Sequence, residues 1–425
     1  MLETADHAMH APPQRIGILG AFGIGNSGNE GTLETMLALV RRVRPGADLT
    51  CICNRPDIVA SEHGIAAVPM HSRPDNRAFR ILSKLLLKVP AALIDFVRAL
   101  RQAASLDLML VPGTGVLDDY STGPMGGPYH IFKWCLAARI CATPTAFVSV
   151  GAGPIPHPLS RWFLRHAAAM ATYRSFRDAN SKDFMTGIGL DTRADAIYPD
   201  LAFAIPADKY PSQPQRAEPA TVGVGVMTYH GWRGKTDEGA DIYKSYLEKI
   251  SLFTLWLLDK GYRVRLLTGD DVDLSTADDV LRIVTAARSD LAQGCVRFEP
   301  VHSLHDVMRQ ISETDAVVAT RFHNVVCALK LSRPTVSIGY SKKNDVLMAE
   351  MGLGDFCQHI ERLDVELLAR QFDRLMADRD RYAEAIRETN LAFRERLGQQ
   401  ELVLARMLDP APAGEMSAVR RSAPI

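Results

Sequence analysis

The chain has 425 residues, 47% of them hydrophobic, and its 49 Lys and Arg balance its 49 Asp and Glu. Such a length exceeds one ordinary core and points to two domains, and zero net charge excludes a global electrostatic footprint for nucleic acid. Any anion recognition must be local. The seven cysteines contain no CxxC pair, which reads as a reduced protein without a structural metal. No run approaches the roughly 18 uninterrupted apolar residues of a membrane span. The opening MLETADHAMHAPPQ lacks the charged start and apolar core of a signal peptide, so the expected location is cytoplasmic.

From Arg15 the chain reads RIGILGAFGIGNSGNEGTLETMLALVRRV, a strand, a glycine-rich turn and an amphipathic helix. Gly23, Gly25 and Gly28 form a literal G-x-G-x-x-G, the dinucleotide fingerprint. The next strand, ADLTCICNRP, ends in Cys53-Asn54 rather than in the acid that holds a ribose 2′-OH, so a nicotinamide site is set aside. What remains is a turn at a helix start, where Asn26 and Gly28 are candidates to meet a phosphate or sugar hydroxyl. Glu30 reads equally as a proton acceptor or sugar ligand and as a first-turn helix acid. Cys51 and Cys53, alternating along the strand, read as small buried hydrophobes.

Residues 77–101, RAFRILSKLLLKVPAALIDFVRALR, form a basic amphipathic stretch in which Arg77, Arg80, Lys84 and Lys88 share a helical face. An ordinary solvated face is the first reading, and peripheral contact with the inner membrane the second. DLMLV then runs into PGTGVLDDY, where Gly113 and Gly115 suit a close backbone approach and Asp118 and Asp119 follow. FVSV leads to Gly151-Ala152-Gly153, Tyr173 to Phe176 ends in Arg177-Asp178, and Ala196 to Tyr198 ends in Pro199-Asp200. Strand ends carrying glycine or charge, alternating with helices, describe a doubly wound parallel sheet. Arg177 and Asp200 are its candidate functional charges, against a structural ion pair of Arg177 with Asp178.

The proline-rich PADKYPSQPQRAEPA reads as a linker, after which TVGVGVMTY restarts the alternation. The loop behind it carries His230, Trp232 and Arg233, where the aromatic face suits a sugar. The alternation ends in a compact βαβ unit: DAVVAT as a strand, His323 to Leu331 as a helix, TVSIGY as a second strand. Ligands sit beyond the carboxyl ends of parallel strands, and that edge carries Arg321 and His323 after one strand, then Tyr340, Lys342 and Lys343 after the next. Cations gathered at a helix N-terminus predict a site for a small, doubly charged anion. Helical stretches then run to about Leu408, the last able to pack back across the first domain.

The ordered set NSGNEG, DLMLVPGTGVL, SVGAGP, FRDANS, YPDLAF and TRFHNVVCALKLSRPTVSIGYSKK resembles the polysaccharide pyruvyl transferase family. The most specific part is R-[FL]-H followed at fixed distance by P-x-V-x-I-x-Y-x-x-K. The resemblance implies an α/β fold of two Rossmann-like doubly wound domains facing across a cleft, GT-B-like. On it, residues 14–207 form the acceptor-side domain, 208–220 the linker, 221–360 the donor-side domain and 361–409 C-terminal helices, between tails at 1–13 and 410–425. It implies transfer of pyruvate from phosphoenolpyruvate, as a ketal, to a sugar of a cell-surface polysaccharide or lipid-linked precursor, with no cofactor beyond that donor. Arg321, His323 and Arg177 are carried to the donor site. For the family lysine Lys342 is preferred, although Lys343 is the literal match by spacing. His323, Asp200 and Glu30 are the catalytic candidates. Asn29 stands where the family's first loop has an acid, which puts the role of Glu30 in question. The rival readings are a nucleotide-sugar glycosyltransferase of the same architecture and a non-catalytic subunit of polysaccharide assembly.

Overall fold

A computed structural model describes residues 14–71, 89–120, 122–211, 218–232, 234, 236–290, 292 and 294–408. The first domain alternates β1 (Arg15–Leu19), α1 (Ser27–Val43), β2 (Asp48–Cys53), α2 (Pro56–His63), β3 (Ala66–Pro69), α3 (Val89–Ala104) and β4 (Leu108–Pro112). It continues through α4 (Gly127–Ile140), β5 (Thr145–Val150), α5 (Pro158–Ala169), β6 (Tyr173–Phe176), α6 (Ala179–Gly187) and β7 (Ala196–Ile197). The second holds β8 (Thr221–Gly225), α7 (Asp237–Asp259), β9 (Arg263–Leu267), α8 (Leu274–Ala287), β10 (Val296–Phe298), α9 (Leu304–Ser312) and β11 (Ala316–Ala319). Then come α10 (Phe322–Lys330), β12 (Thr335–Gly339), α11 (Lys342–Glu350), β13 (Cys357–His359), α12 (Val365–Ala377) and α13 (Arg379–Leu408).

Both sheets are parallel, ordered β3-β2-β1-β4-β5-β6-β7 and β10-β9-β8-β11-β12-β13. Their central strands are buried along their whole length, as in LMLVP, TAFVSV, AVVA and TVSIG. Such continuous apolar runs need helices on both faces, which excludes a sheet with one wet side. Strand order reverses between β1 and β4 and between β8 and β11, and a crevice opens at such a switch point beyond the strands' carboxyl ends. The two crevices face each other.

The 30-residue α13 ties the domains together. Its Phe393 stands edge-on to Phe203 at 5.0 Å in the second domain's core, whereas Leu404 and Leu408 lie in the first domain's core beside Leu33 and Leu110. Gln400 Nε2 donates to the hydroxyls of Ser149 and Ser175 at 2.8 and 3.0 Å. The last helix therefore packs back, as expected. Arg77, Arg80, Lys84, Lys88 and both expected tails lie outside the described residues. Among the described residues no helix is long and apolar enough to cross a membrane.

Candidate active site

The loop between β1 and α1 is the first wall. Asn26 caps α1, its Oδ1 accepting from the Asn29 N–H at 3.1 Å, while its Nδ2 donates to Asp270 of the second domain at 2.8 Å. Ser27 Oγ donates to the Gly269 carbonyl at 2.7 Å, and the Asp271 N–H donates to the Gly25 carbonyl at 3.2 Å. This latch presses the start of α1 against the start of α10. A Cβ built on Gly28 would stand 1.8 Å from His323 Nδ1, so the imidazole lies where any side chain at 28 would be.

Around that imidazole the cleft gathers Arg177, Asp200, Lys343, Tyr340 and Asp118. Arg177 is buried; its Nη1 donates to Asp200 at 3.2 Å, its Nε lies 3.4 Å from Asp178, and its guanidinium is 4.4 Å over the Phe322 ring. Asp178 and Asp200 cap the elements they precede, accepting from the Ser181 and Ala202 N–H groups. Lys343 Nζ donates to Tyr340 Oη at 2.7 Å and lies 5.4 Å from the Phe322 centroid. Asp118 accepts from the Tyr120 N–H, and Gly115 has no Cβ where one would approach Asp118 Oδ2 to 2.6 Å. Tyr120 packs on Trp232 at 5.0 Å and on Tyr340 at 5.9 Å, an aromatic wall shared by the two domains.

Carboxylates outnumber the cations here, so side-chain charge alone does not make an anion site. The backbone supplies the rest. α10 and α11 start on adjacent strands, and neither has a side-chain cap, so the N–H groups of their first two residues and their positive dipole ends remain for a ligand. Among the described residues, His323 Nε2, Ser341 Oγ and Trp232 Nε1 are buried without a hydrogen-bond partner. Buried polar atoms of this kind carry a desolvation cost that a bound ligand removes.

Burial pushes the His323 imidazole down to about 4; Asp200 opposes this, and Arg177, Lys343 and Arg321 add to it. The ring is therefore neutral near neutral pH, with one nitrogen free to accept a proton. Burial pushes the Asp118 carboxyl up to about 6, against the pull of Lys343, the Tyr120 N–H and Arg177. The site thus pairs an imidazole and a carboxyl whose ordinary order of acidity is reversed.

Several sequence expectations come out differently. Arg321 does not present its fork to the cleft: Nε and Nη2 both donate to the buried Asp273 at 2.7 Å, and Nη1 stands 3.7 Å from Asp270. A largely buried guanidinium needs a counter-charge, and Asp273, which also accepts from the Thr228 N–H, uses it to pin the β8 and β11 loops together. Glu30 is turned away from His323, because two residues along a helix is about 200° of rotation from Gly28. Its Oε1 instead accepts from the Gly23 and Ile24 N–H groups at 2.8 and 3.2 Å, and burial raises its carboxyl to about 7. Asn26 spends both ends of its amide on the cap and the latch. The missing Cβ of Gly113 makes room for the Ser149 carbonyl, at 2.4 Å, rather than for a ligand. Lys342 is exposed, whereas Lys343 faces the cleft. His230 stacks on Tyr243 at 4.9 Å within the second domain, apart from Trp232. Asp118 was legible only as half of an acid pair after a Gly-x-Gly strand end, with nothing local to favour it over Asp119.

Outside the cleft, His71, Asp95 and His130 have metal-ligand spacing, but Lys133 Nζ donates to Asp95 Oδ2 at 2.7 Å and neutralises it.

The chain is similar over nearly its whole length to solved structures of GT-B proteins. A glycosyltransferase from Rickettsia africae superposes with a TM-score of 0.58 at 10% identity, covering 97% of this chain and 100% of that one. UDP-GlcNAc 2-epimerase from Neisseria meningitidis, bound to UDP-GlcNAc, gives 0.56 at 12%, covering 93% and 99%. HepE of Anabaena, in complex with UDP and glucose, gives 0.55 at 12%, covering 94% and 100%. Identities this low speak to fold alone. No curated protein sequence matches the chain. The profile of the polysaccharide pyruvyl transferases matches residues 26–342, from the latch at Asn26 to the start of α11, and the chain belongs to that family.

Proposed function

We propose that the chain transfers pyruvate from phosphoenolpyruvate to two hydroxyls of a saccharide on a cell-surface polysaccharide or its lipid-linked precursor, as a cyclic ketal. Family membership supports modification of a polysaccharide. The observation that carries the donor is the pair of uncapped helix N-termini, α10 and α11, beside Lys343 and Arg177 and around the unpartnered His323 Nε2. Phosphoenolpyruvate brings a phosphate and a carboxylate, the two groups that N–H clusters and guanidinium or ammonium ions hold best.

In this reading the donor's phosphate offsets Lys343 and Arg177, which raises the His323 pKa from its low value, so donor binding loads the proton that catalysis needs. His323 gives that proton to the methylene carbon, which becomes a methyl group, and positive charge develops on the adjacent carbon. The first sugar hydroxyl adds there, its proton passing to Asp118. The second hydroxyl adds as the carbon–oxygen bond to phosphate breaks, and its proton leaves with inorganic phosphate. Asp178 and Asp200 orient Arg177 and do not exchange protons with substrate. Tyr120, Trp232 and Tyr340 form the wall on which the sugar's C–H face rests.

The test is to incubate the protein with phosphoenolpyruvate and free or lipid-linked saccharides, following phosphate release and acceptor mass. Coupled release of phosphate and gain of one pyruvate ketal is expected. Release of a nucleotide from a nucleotide sugar, with phosphoenolpyruvate untouched, would replace this reading by a glycosyltransferase.

A further inference from the structure

The face of the first domain built by α3, α4 and α5 differs from the rest of the surface in two independent respects. The first is apolar exposure. Of the 13 large hydrophobic side chains exposed among the described residues, seven lie between positions 93 and 162. Leu93, Met125 and Trp162 are 61%, 61% and 48% exposed, with Ile94 and Leu159 beside them. The second is charge. The three helices carry Arg98, Arg101, Lys133, Arg139, Arg161 and Arg165 against one acid, Asp95, which is buried and paired with Lys133 at 2.7 Å. Five arginines are thus exposed with no exposed acid on the same helices, in a chain whose net charge is zero.

These helices form one continuous surface. Phe132 on α4 lies 5.2 Å from Trp162 on α5, and Tyr129 lies 5.6 Å from Phe163. Because the sheet is parallel, α3, α4 and α5 all begin at the strands' carboxyl edge, the edge that faces the second domain. Leu93 and Ile94 fall in the first two turns of α3, Leu159 and Trp162 in those of α5, and Met125 just ahead of α4. Five of the seven exposed apolar side chains are therefore gathered at the cleft end of the face, with Val97 mid-helix and Ile140 at the far end of α4.

We propose that this face docks on the surface of an anionic lipid bilayer. Arginines reach lipid phosphates, aliphatic side chains enter the region below the headgroups, and a tryptophan sits at the boundary between the two. A second copy of the chain is a poorer occupant, since a two-fold interface would set arginines against arginines with no acid to answer them. A nucleic acid would use the arginines but leave the aliphatic side chains in water. Docking itself does not depend on the reaction; if the proposed function holds, it also brings the cleft mouth to the height at which a lipid-linked saccharide is presented.

The experiment is flotation of the full chain with vesicles of phosphatidylcholine alone or mixed with phosphatidylglycerol, at low and high salt. Recovery with anionic vesicles should exceed that with neutral ones by at least about tenfold and fall at high salt. Arg98→Glu with Arg101→Glu, and separately Leu93→Glu with Ile94→Glu, should each cut recovery by about tenfold or more while keeping the wild-type circular dichroism spectrum and melting temperature. Equal recovery on both lipids, no recovery, or variants that bind like wild type would overturn the proposal. So would self-association in solution that Leu93→Glu abolishes without any vesicle binding. Phosphate release with a soluble acceptor, measured in parallel, reports on the reaction separately.

Discussion

Gly28→Ala tests whether the His323 imidazole is held by the backbone of the opposing domain. The added Cβ would lie 1.8 Å from His323 Nδ1, and ordinary contact begins at 3.4 Å, so about 1.6 Å must be found by moving the ring or opening the latch. A misplacement of about 1 Å at a reacting group costs on the order of 10²-fold in rate, so kcat should fall by about that factor or more. Stability should change far less. Alanine is favoured over glycine in a helix by about 1 kcal/mol, which offsets part of an overpacking cost of about 1–3 kcal/mol. The assay is phosphate release at saturating donor, with thermal melting alongside. Wild-type kcat in a folded Gly28→Ala protein would refute the idea that the contact between α1 and α10 positions His323.

Asp118→Asn should abolish turnover, and in the wild type kcat at saturating donor, where bound phosphate holds His323 protonated, should rise with pH as the Asp118 base ionises. Its folded pKa is raised, so the stability it contributes is complete below the ordinary carboxylate range and lost as pH rises through about 6. The Asn variant should therefore melt above the wild type near neutral pH and level with it in acid; the reverse order would remove the burial argument. Lys343→Ala should raise KM for phosphoenolpyruvate about 10- to 100-fold through loss of a charge-assisted contact, whereas Lys342→Ala should stay within about twofold. Equal effects would mean that the wrong lysine has been placed in the cleft. Asp273→Ala leaves the largely buried Arg321 guanidinium with only Asp270, 3.7 Å away, as counter-charge and should cost up to about 3–5 kcal/mol, measured by chemical denaturation. Adding Arg321→Leu should recover much of that loss, and failure to recover it would show that the pair does not hold the loops together.

What sequence made legible was whatever depends on neighbours along the chain. Fully apolar runs such as DLMLV and DAVVAT cannot be half-wet strands, and their alternation with amphipathic helices requires parallel sheets covered on both faces. The edge on which Arg177, Asp200, His323 and Lys343 lie follows from that arrangement alone, because strand ends in a parallel sheet share one side. The order of the strand-end motifs carried the family as well.

Tertiary structure decided which of those edge residues is free to act. Arg321 and Arg177 look alike in sequence, each a cation at a strand end. One is turned from the cleft by Asp273, which is 48 residues distant, while the other, paired with Asp178 and Asp200, lies over Phe322 beside the imidazole. Asn26 is committed by Asp270 across 244 residues, and Gly28 is required by His323 of the other domain. Charge pairing and close approach are properties of separation in space, and local periodicity does not encode separations across a cleft. The chain by itself therefore determined the two sheets, their facing edges and the family, whereas the identity of the cleft-facing lysine, the neutral histidine and the Asp118 carboxyl arose only where the two edges meet.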